Sequence, residues 1–175
     1  MVYGVTGSGK TTLAREISTR TGLPFTEIDA LTWEPSWKAV DPNEQRRRIG
    51  AVCDREEWVI DHAYAIWVDI VEARAQLVVA LDYPRWLSLS RLTLRCAKRL
   101  FDQKPMCNGN RESLGHLVSR ESIVVWHFRS FSRKRTRMRQ WDTDNPFESY
   151  VRLCSPRQTR RWLNEFVRHI NVTNE

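Results

Sequence analysis

The run Gly4-Val5-Thr6-Gly7-Ser8-Gly9-Lys10-Thr11 matches the pattern G-x-x-x-x-G-K-[ST], and its spacing has a chemical reason. Glycines let the backbone curl until successive N–H groups converge on one point, which suits an anion. A helix starting directly after the loop adds the positive end of its dipole. In such a loop Lys10 reaches the β- and γ-phosphates of a nucleotide and the Thr11 hydroxyl ligates Mg²⁺. The expected cradle is Gly4, Val5, Thr6, Gly7, Ser8, Gly9, Lys10, Thr11 and Thr12.

A phosphate loop also needs an acidic partner for the metal ion at the end of a hydrophobic strand. Asp61 follows Trp58-Val59-Ile60, and Asp82 follows the apolar run Leu77 to Leu81. Asp61 is the favoured ligand because it ends the third strand, the usual neighbour of the first. Asp82 opens Asp82-Tyr83-Pro84 and reads better as a cap on the next helix. Asp29 ends the second strand. It either orients or deprotonates an acceptor hydroxyl or closes an Asx turn. Trp33 and Trp37, four residues apart, and Trp67 are either core residues or walls for a small acceptor.

The elements that must position these residues alternate between strand and helix, which predicts a parallel sheet covered by helices on both faces. A short strand, Met1 to Tyr3, feeds the loop. Because a central strand is normally longer, either the natural start lies upstream or the strand is simply short. A helix from about Lys10 to Thr21 is closed by Gly22 and Pro24. Strand two is Phe25 to Ile28. Asp41-Pro42-Asn43-Glu44 opens a second helix with an N-cap Asp and Pro at the first helical position. Trp58 to Ile60, Leu77 to Leu81 and Tyr150 to Cys154 read as further strands. Arg85 to Phe101 is a long amphipathic helix, residues 121–141 a second basic one, and Ser155-Pro156-Arg157-Gln158 a capping box before the last helix. No repeat or linker divides the 175 residues, so one domain is expected, with an acceptor-side insertion at about 30–57.

Residues 85–140 hold fourteen Lys or Arg against three Asp or Glu, a net +11, while the remainder is net −4. Such a stretch calls for an anionic partner. Arg91, Arg95 and Arg99 recur every fourth residue and share a helix face, where they repel one another unless an anion lies near. Arg is well suited to neutralising charge on a transferring phosphoryl group. We therefore assign Arg91, Arg95 and Arg129 to transition-state stabilisation, alongside Lys10 and Asp29. The polar segment 102–120, with Arg111 and Arg120, reads as a lid that excludes water on closing. Arg135, Arg137 and Arg139 read as a solvated basic face.

Composition narrows the alternatives. At 41% hydrophobic the chain is globular in type, with no apolar run long enough to span a membrane and no basic-then-apolar leader at its start. Cys53, Cys96, Cys107 and Cys154 are widely spaced. They read as free thiols in a reducing, cytoplasmic setting, without a zinc site.

Several runs together resemble a known family: Ile28-Asp-Ala-Leu-Thr-Trp33-Glu-Pro-Ser-Trp37, Trp58-Val-Ile-Asp61, Leu81-Asp-Tyr-Pro-Arg85, Asn108-Gly-Asn-Arg-Glu-Ser113 and Ser155-Pro-Arg157. With the phosphate loop they are similar to the adenylate-kinase-like branch of P-loop kinases, and more closely to bacterial DNA topology modulation proteins, or adenylate-kinase-like ATPases. The resemblance implies a three-layer α/β P-loop NTPase with a five-stranded parallel sheet in the order 2-3-1-4-5, a helical lid, and ATP with Mg²⁺. Two departures matter. His62-Ala63-Tyr64 stands where adenylate kinases carry Gly-Phe-Pro-Arg, and the insertion offers only Arg46-Arg47-Arg48, so AMP is a poor fit as acceptor. No N-K-x-D guanine signature is present, which favours ATP over GTP. The expected activity is transfer of the γ-phosphoryl group of Mg-ATP to an unidentified small molecule. The competing expectation is an ATP-dependent DNA-binding or regulatory protein; the charged stretch supports it, but no helix-turn-helix or zinc finger is visible. Slow ATP hydrolysis without an acceptor is a third.

Overall fold

In the computed structural model, residues 1–62, 66–102, 108–110 and 123–173 are described. Five strands form one parallel sheet: β1 (Val2–Gly4), β2 (Phe25–Thr26), β5 (Val59–His62), β6 (Leu77–Leu81) and β7 (Ser149–Leu153). Their order is β2-β5-β1-β6-β7. Counted among the sheet's own strands this is 2-3-1-4-5, with a separate two-stranded hairpin, β3 (Trp33–Glu34) and β4 (Lys38–Ala39), outside it. Short as it is, β1 is paired on both sides: Val2 sits in register with Asp61 and Val79, and Tyr3 with His62 and Ala80.

The period-two alternation of strand side chains divides each strand between two cores. Val2, Val59, Val79 and Leu81 face α1 (Lys10–Thr21) and α7 (Pro156–Thr173), where Leu13, Ile17, Leu163 and Val167 meet them. Tyr3, Ile60, Val78 and Ala80 face the opposite layer. There α3 (Pro42–Cys53), α4 (Val68–Glu72) and α6 (Ile123–Asp144) supply Ile49, Val52, Val71, Met138 and Trp141. Helix α5 (Arg85–Asp102) runs beside α6. Asp41 caps α3 through Asn43 and Glu44 N–H, with Pro42 at its first position, and Ser155 Oγ accepts from Gln158 N–H at the start of α7.

Three local expectations change. Strand two is only Phe25–Thr26, because Ile28 already adopts helical angles and Asp29 opens the single-turn helix α2 (Asp29–Thr32). Asp61 lies inside β5, one residue before its end, and not after it. Asp82 does not act as the expected cap: its carboxylate, 2% exposed, is held by arginines. Arg135 Nε donates to one oxygen at 2.9 Å and Arg152 Nη1 to the other at 3.1 Å, with Arg139 Nε 3.6 Å away. Asp142 takes Arg152 as well, at 2.8 Å. Arg135 is thus not part of the solvated face expected of it, while Arg139 leans on the same carboxylate with 56% of its side chain still exposed. They fasten α6 to the ends of β6 and β7.

Removing a buried carboxylate strands the charges that it neutralised. Asp82→Ala is expected to lower stability by about 3 kcal/mol, read from urea unfolding midpoints. A loss of well under about 1 kcal/mol would show that the cluster is solvated after all.

Candidate functional site

The loop between β1 and α1 has backbone features that only glycine supplies. Gly7 has φ 81°, and a Cβ there would overlap the Ser88 carbonyl oxygen of α5, so this helix packs directly on the loop. Gly9, at φ 95°, is the N-cap of α1 and offers no side-chain cap; the first turn carries no acidic residue. The leading N–H groups of α1 are therefore left available for an anion. Ser8 Oγ, beside them, is buried and has no hydrogen-bond partner among the described residues.

Around this loop the structure assembles most of the residues singled out from the sequence. The Thr11 hydroxyl donates to Asp61 Oδ2, and the backbone N–H of Ile28 donates to Oδ1 at 3.1 Å. One carboxylate thus ties α1 to β5 and to the turn that presents Asp29. Burial pushes the Asp61 carboxyl upward, opposed by these two hydrogen bonds and by Lys10. Lys10 Nζ donates to the Val5 carbonyl at 3.0 Å. Its proton affinity is lowered to about 8, chiefly by burial, with Asp61 and Asp29 acting the other way.

Two cavities flank the loop. The smaller, about 170 Å³, is lined by Lys10, Thr11, Asp29, Asp61, Arg95 and Trp126, with loop residues Thr6, Gly7, Gly9 and Thr12 and with Ile123. The larger, about 390 Å³, lies between the loop, α1, α5 and α7. It is lined by Ser8, Tyr83, Arg91, Arg95, Pro156, Thr159, Arg160 and Leu163 among others. Gly7, Gly9, Thr12 and Arg95 line both. Arg91 is braced over the Tyr83 ring at 5.5 Å and donates to the Ser8 carbonyl at 3.4 Å, while Tyr83 shares a hydrogen bond with Thr159.

Other expected residues fall elsewhere. Gly4 and Val5 are buried beneath the loop. Arg129 is exposed on α6 and lines neither cavity. Trp67 is fully buried against His62, 4.6 Å between ring centroids, and is a core residue. Trp33 and Trp37 are half-buried and meet edge to face at 5.9 Å on the β3–β4 hairpin. Of the expected lid, Arg111 and Arg120 lie outside the described residues.

Several contributors have no short-range signature. Asn108 Nδ2 donates to the carbonyls of Ala30 and Trp33. Asn110 accepts from Trp37 N–H at 2.8 Å and donates to Glu34 O at 2.9 Å. Residues 108–110 therefore clasp the hairpin that carries the two tryptophans. His127, fully buried on α6, places Nδ1 3.0 Å from the Thr6 carbonyl, so its Nδ1–H donates to the phosphate loop. The stripe His127, Phe131, Lys134, Met138 and Trp141 has helical spacing and marks the inward face of α6 in the sequence itself.

Comparison with known proteins agrees with this architecture. The family described as "ATPase family associated with various cellular activities (AAA)" matches residues 1–80. No curated protein matches the chain. Among solved structures, a gluconokinase from Sinorhizobium meliloti 1021 superposes with a TM-score of 0.51 at 17% identity, over 99% of this chain and 95% of that one. Shikimate kinase from Acinetobacter baumannii in complex with shikimate gives 0.51 at 17% identity, over 99% and 93%. Shikimate kinase from Bacteroides thetaiotaomicron gives 0.53 at 11%, over 97% of each. The chain has the α/β fold of P-loop kinases.

The close approach of α5 to Gly7 makes a direct test. Gly7→Ala is expected to cost about 1–3 kcal/mol of stability and to weaken binding of a fluorescent ATP analogue. Gly50→Ala, in the middle of α3 with nothing near its added Cβ, is expected to be neutral or to stabilise by up to about 1 kcal/mol.

Proposed function

We propose that the protein is a phosphotransferase that moves the γ-phosphoryl group of Mg-ATP to a small-molecule acceptor. The observation that carries this reading is the pair of cavities that meet across Gly7, Gly9, Thr12 and Arg95. A nucleotide with its phosphates on the loop has room for its base and ribose in the larger cavity, between Tyr83, Arg91, Pro156 and Thr159. An acceptor then occupies the smaller one, beside Asp29. The adjoining uncapped helix, the buried Ser8 hydroxyl and the Thr11–Asp61 oxygen pair fit a triphosphate with its divalent cation. Thr11 would hold that ion directly and Asp61 through water. When bound, it supplies positive charge to the β- and γ-phosphate oxygens.

The remaining work falls to the chain. Asp29 orients the acceptor hydroxyl and takes its proton as the acceptor oxygen bonds to the γ-phosphorus and the bond to the ADP oxygen breaks. Lys10 and Arg95 hold the oxygens of the transferring group, where charge spreads in the transition state. Arg91 braces the nucleotide side, whereas Arg129, exposed on α6 and lining neither cavity, is left without a role in the step. Segment 102–120 is the proposed lid, and residues 30–57 the proposed acceptor side, of a single domain. The resemblance to DNA topology modulation proteins supports the same branch of P-loop kinases, and a cytoplasmic setting, where ATP is abundant, goes with it. The kinases among the solved structures support a small-molecule acceptor. A nucleic-acid partner is less favoured, because Asp82 engages Arg135, Arg139 and Arg152 and shrinks the free basic face.

ADP release, measured over a panel of nucleotides, sugars and small alcohols, tests the reading. Lys10→Ala is expected to abolish turnover and weaken ATP binding. Asp29→Asn is expected to lower kcat by about 10²–10⁴-fold with ATP affinity retained. Intact ATP affinity and turnover in Lys10→Ala would overturn the proposal.

A further inference from the structure

The backbone of the phosphate loop carries one contact that the transfer step above leaves unused. His127, on α6, is fully buried, and its Nδ1 lies 3.0 Å from the Thr6 carbonyl oxygen. A carbonyl only accepts, so Nδ1 bears the proton. Nε2 is buried as well and has no hydrogen-bond partner among the described residues. The ring packs against Phe131, 5.5 Å between centroids, and at a steep angle against Phe128 at 6.0 Å. Burial and the positive charges of Arg85, Lys134 and Lys10 lower its proton affinity, against the pull of the Thr6 carbonyl. The imidazole that meets the loop is therefore neutral.

The Thr6 carbonyl and the Gly7 N–H belong to one planar peptide unit and point in opposite directions. Gly7 lines both cavities, and its N–H has no backbone acceptor among the described residues. Glycine tolerates φ of either sign, so this peptide, leading into Gly7 at φ 81°, can turn over with little backbone penalty. Turned over, it would aim a carbonyl oxygen at the phosphates in place of an N–H. The Ser88 carbonyl of α5 crowds the Gly7 Cα, which limits where the residue sits but does not set the direction of the peptide plane. A hydrogen bond to the Thr6 carbonyl does set it. The helix that makes this bond also supplies Ile123 and Trp126 to the smaller cavity, so α6 meets both the loop and the acceptor side.

We infer that His127 is a positioning residue for phosphoryl transfer: by holding the Thr6 carbonyl against α6, it keeps the Gly7 N–H turned toward the phosphate oxygens of the nucleotide. This role rests on the phosphotransferase reading of the same loop. It asks for a neutral donor at position 127 and for nothing else that a histidine offers. An asparagine there presents its Nδ2–H at the same distance from the backbone as the imidazole Nδ1–H, whereas a phenylalanine fills the ring volume without a donor.

Calorimetric titration of the full chain with the non-hydrolysable analogue AMPPNP and magnesium compares wild type, His127→Asn and His127→Phe. His127→Phe is expected to bind about fivefold or more weakly, the loss of one hydrogen bond, and His127→Asn to stay within about twofold of wild type. Melting temperatures of the same samples are expected to rank the other way, with the ring-sized phenylalanine above the smaller asparagine. Undiminished affinity in His127→Phe, failure of His127→Asn to restore binding, or affinities that rank as the melting temperatures do would overturn the role. A second measurement needs no variant to fold: in long-range ¹H–¹⁵N spectra of protein labelled with ¹⁵N-histidine, the His127 ring is expected as the neutral Nδ1–H tautomer. A bare Nδ1 or a doubly protonated ring would overturn the role. Binding of Mg-AMPPNP to wild type is measured first. Its failure would overturn the nucleotide reading together with this role, whereas normal binding that His127→Phe leaves unchanged overturns the role alone.

Discussion

The Asp61 carboxylate is the joint on which the candidate site hangs. One oxygen takes the Thr11 hydroxyl at the start of α1, and the other the Ile28 N–H just before Asp29. A single side chain on β5 therefore fixes the phosphate loop, the expected metal position and the turn that carries Asp29 relative to one another. Its register beside Val2 of β1 makes this possible, since neighbouring parallel strands bring their carboxyl ends to one edge of the sheet, where such sites lie. Burial works against the charged form of Asp61 and the two hydrogen bonds work for it. A divalent cation would add to that support.

What could be read from the sequence was chemistry confined to short stretches. The loop glycines, Lys10 and Thr11 lie within eight residues because one backbone turn must bring them together. Asp61 was legible as an acid closing a hydrophobic run. Sheet order followed from the resemblance, and the alternation Val2/Tyr3, Val59/Ile60 and Val78/Val79 does divide the two cores. Long-range pairings were not legible. Asp82 meets Arg135 and Arg152 across 53 and 70 residues, so the sequence offered only a nearby helix for it to cap. Asn108 and Asn110 read as turn residues, and their bonds to the hairpin at 30–37 cross more than 70 positions. Residues after the last strand, Pro156, Thr159 and Arg160, showed a helix start and no hint of the cavity that they line.

The basic stretch illustrates how a count of charges misleads. Its net +11 suggests one function, yet the structure divides it by position. Arg91 and Arg95 face the loop, Arg135 and Arg139 converge on Asp82, Arg129 remains exposed, and Lys134 is buried on the inward face of α6. A buried carboxylate surrounded by arginines lets α6 stay fixed to the sheet while its inward face supports the loop through His127. The same helix therefore serves as fastening, loop support and inner wall.

The central claim is that the two cavities across the loop hold a donor and an acceptor of one phosphoryl group. It is tested most directly by following the label from γ-³²P-ATP, with magnesium and a small-molecule extract, in the presence of the purified protein. The account predicts that label appears in an organic phosphate and that Lys10→Ala does not form it. Label found solely in inorganic phosphate, at the same rate with and without the extract, would contradict the account.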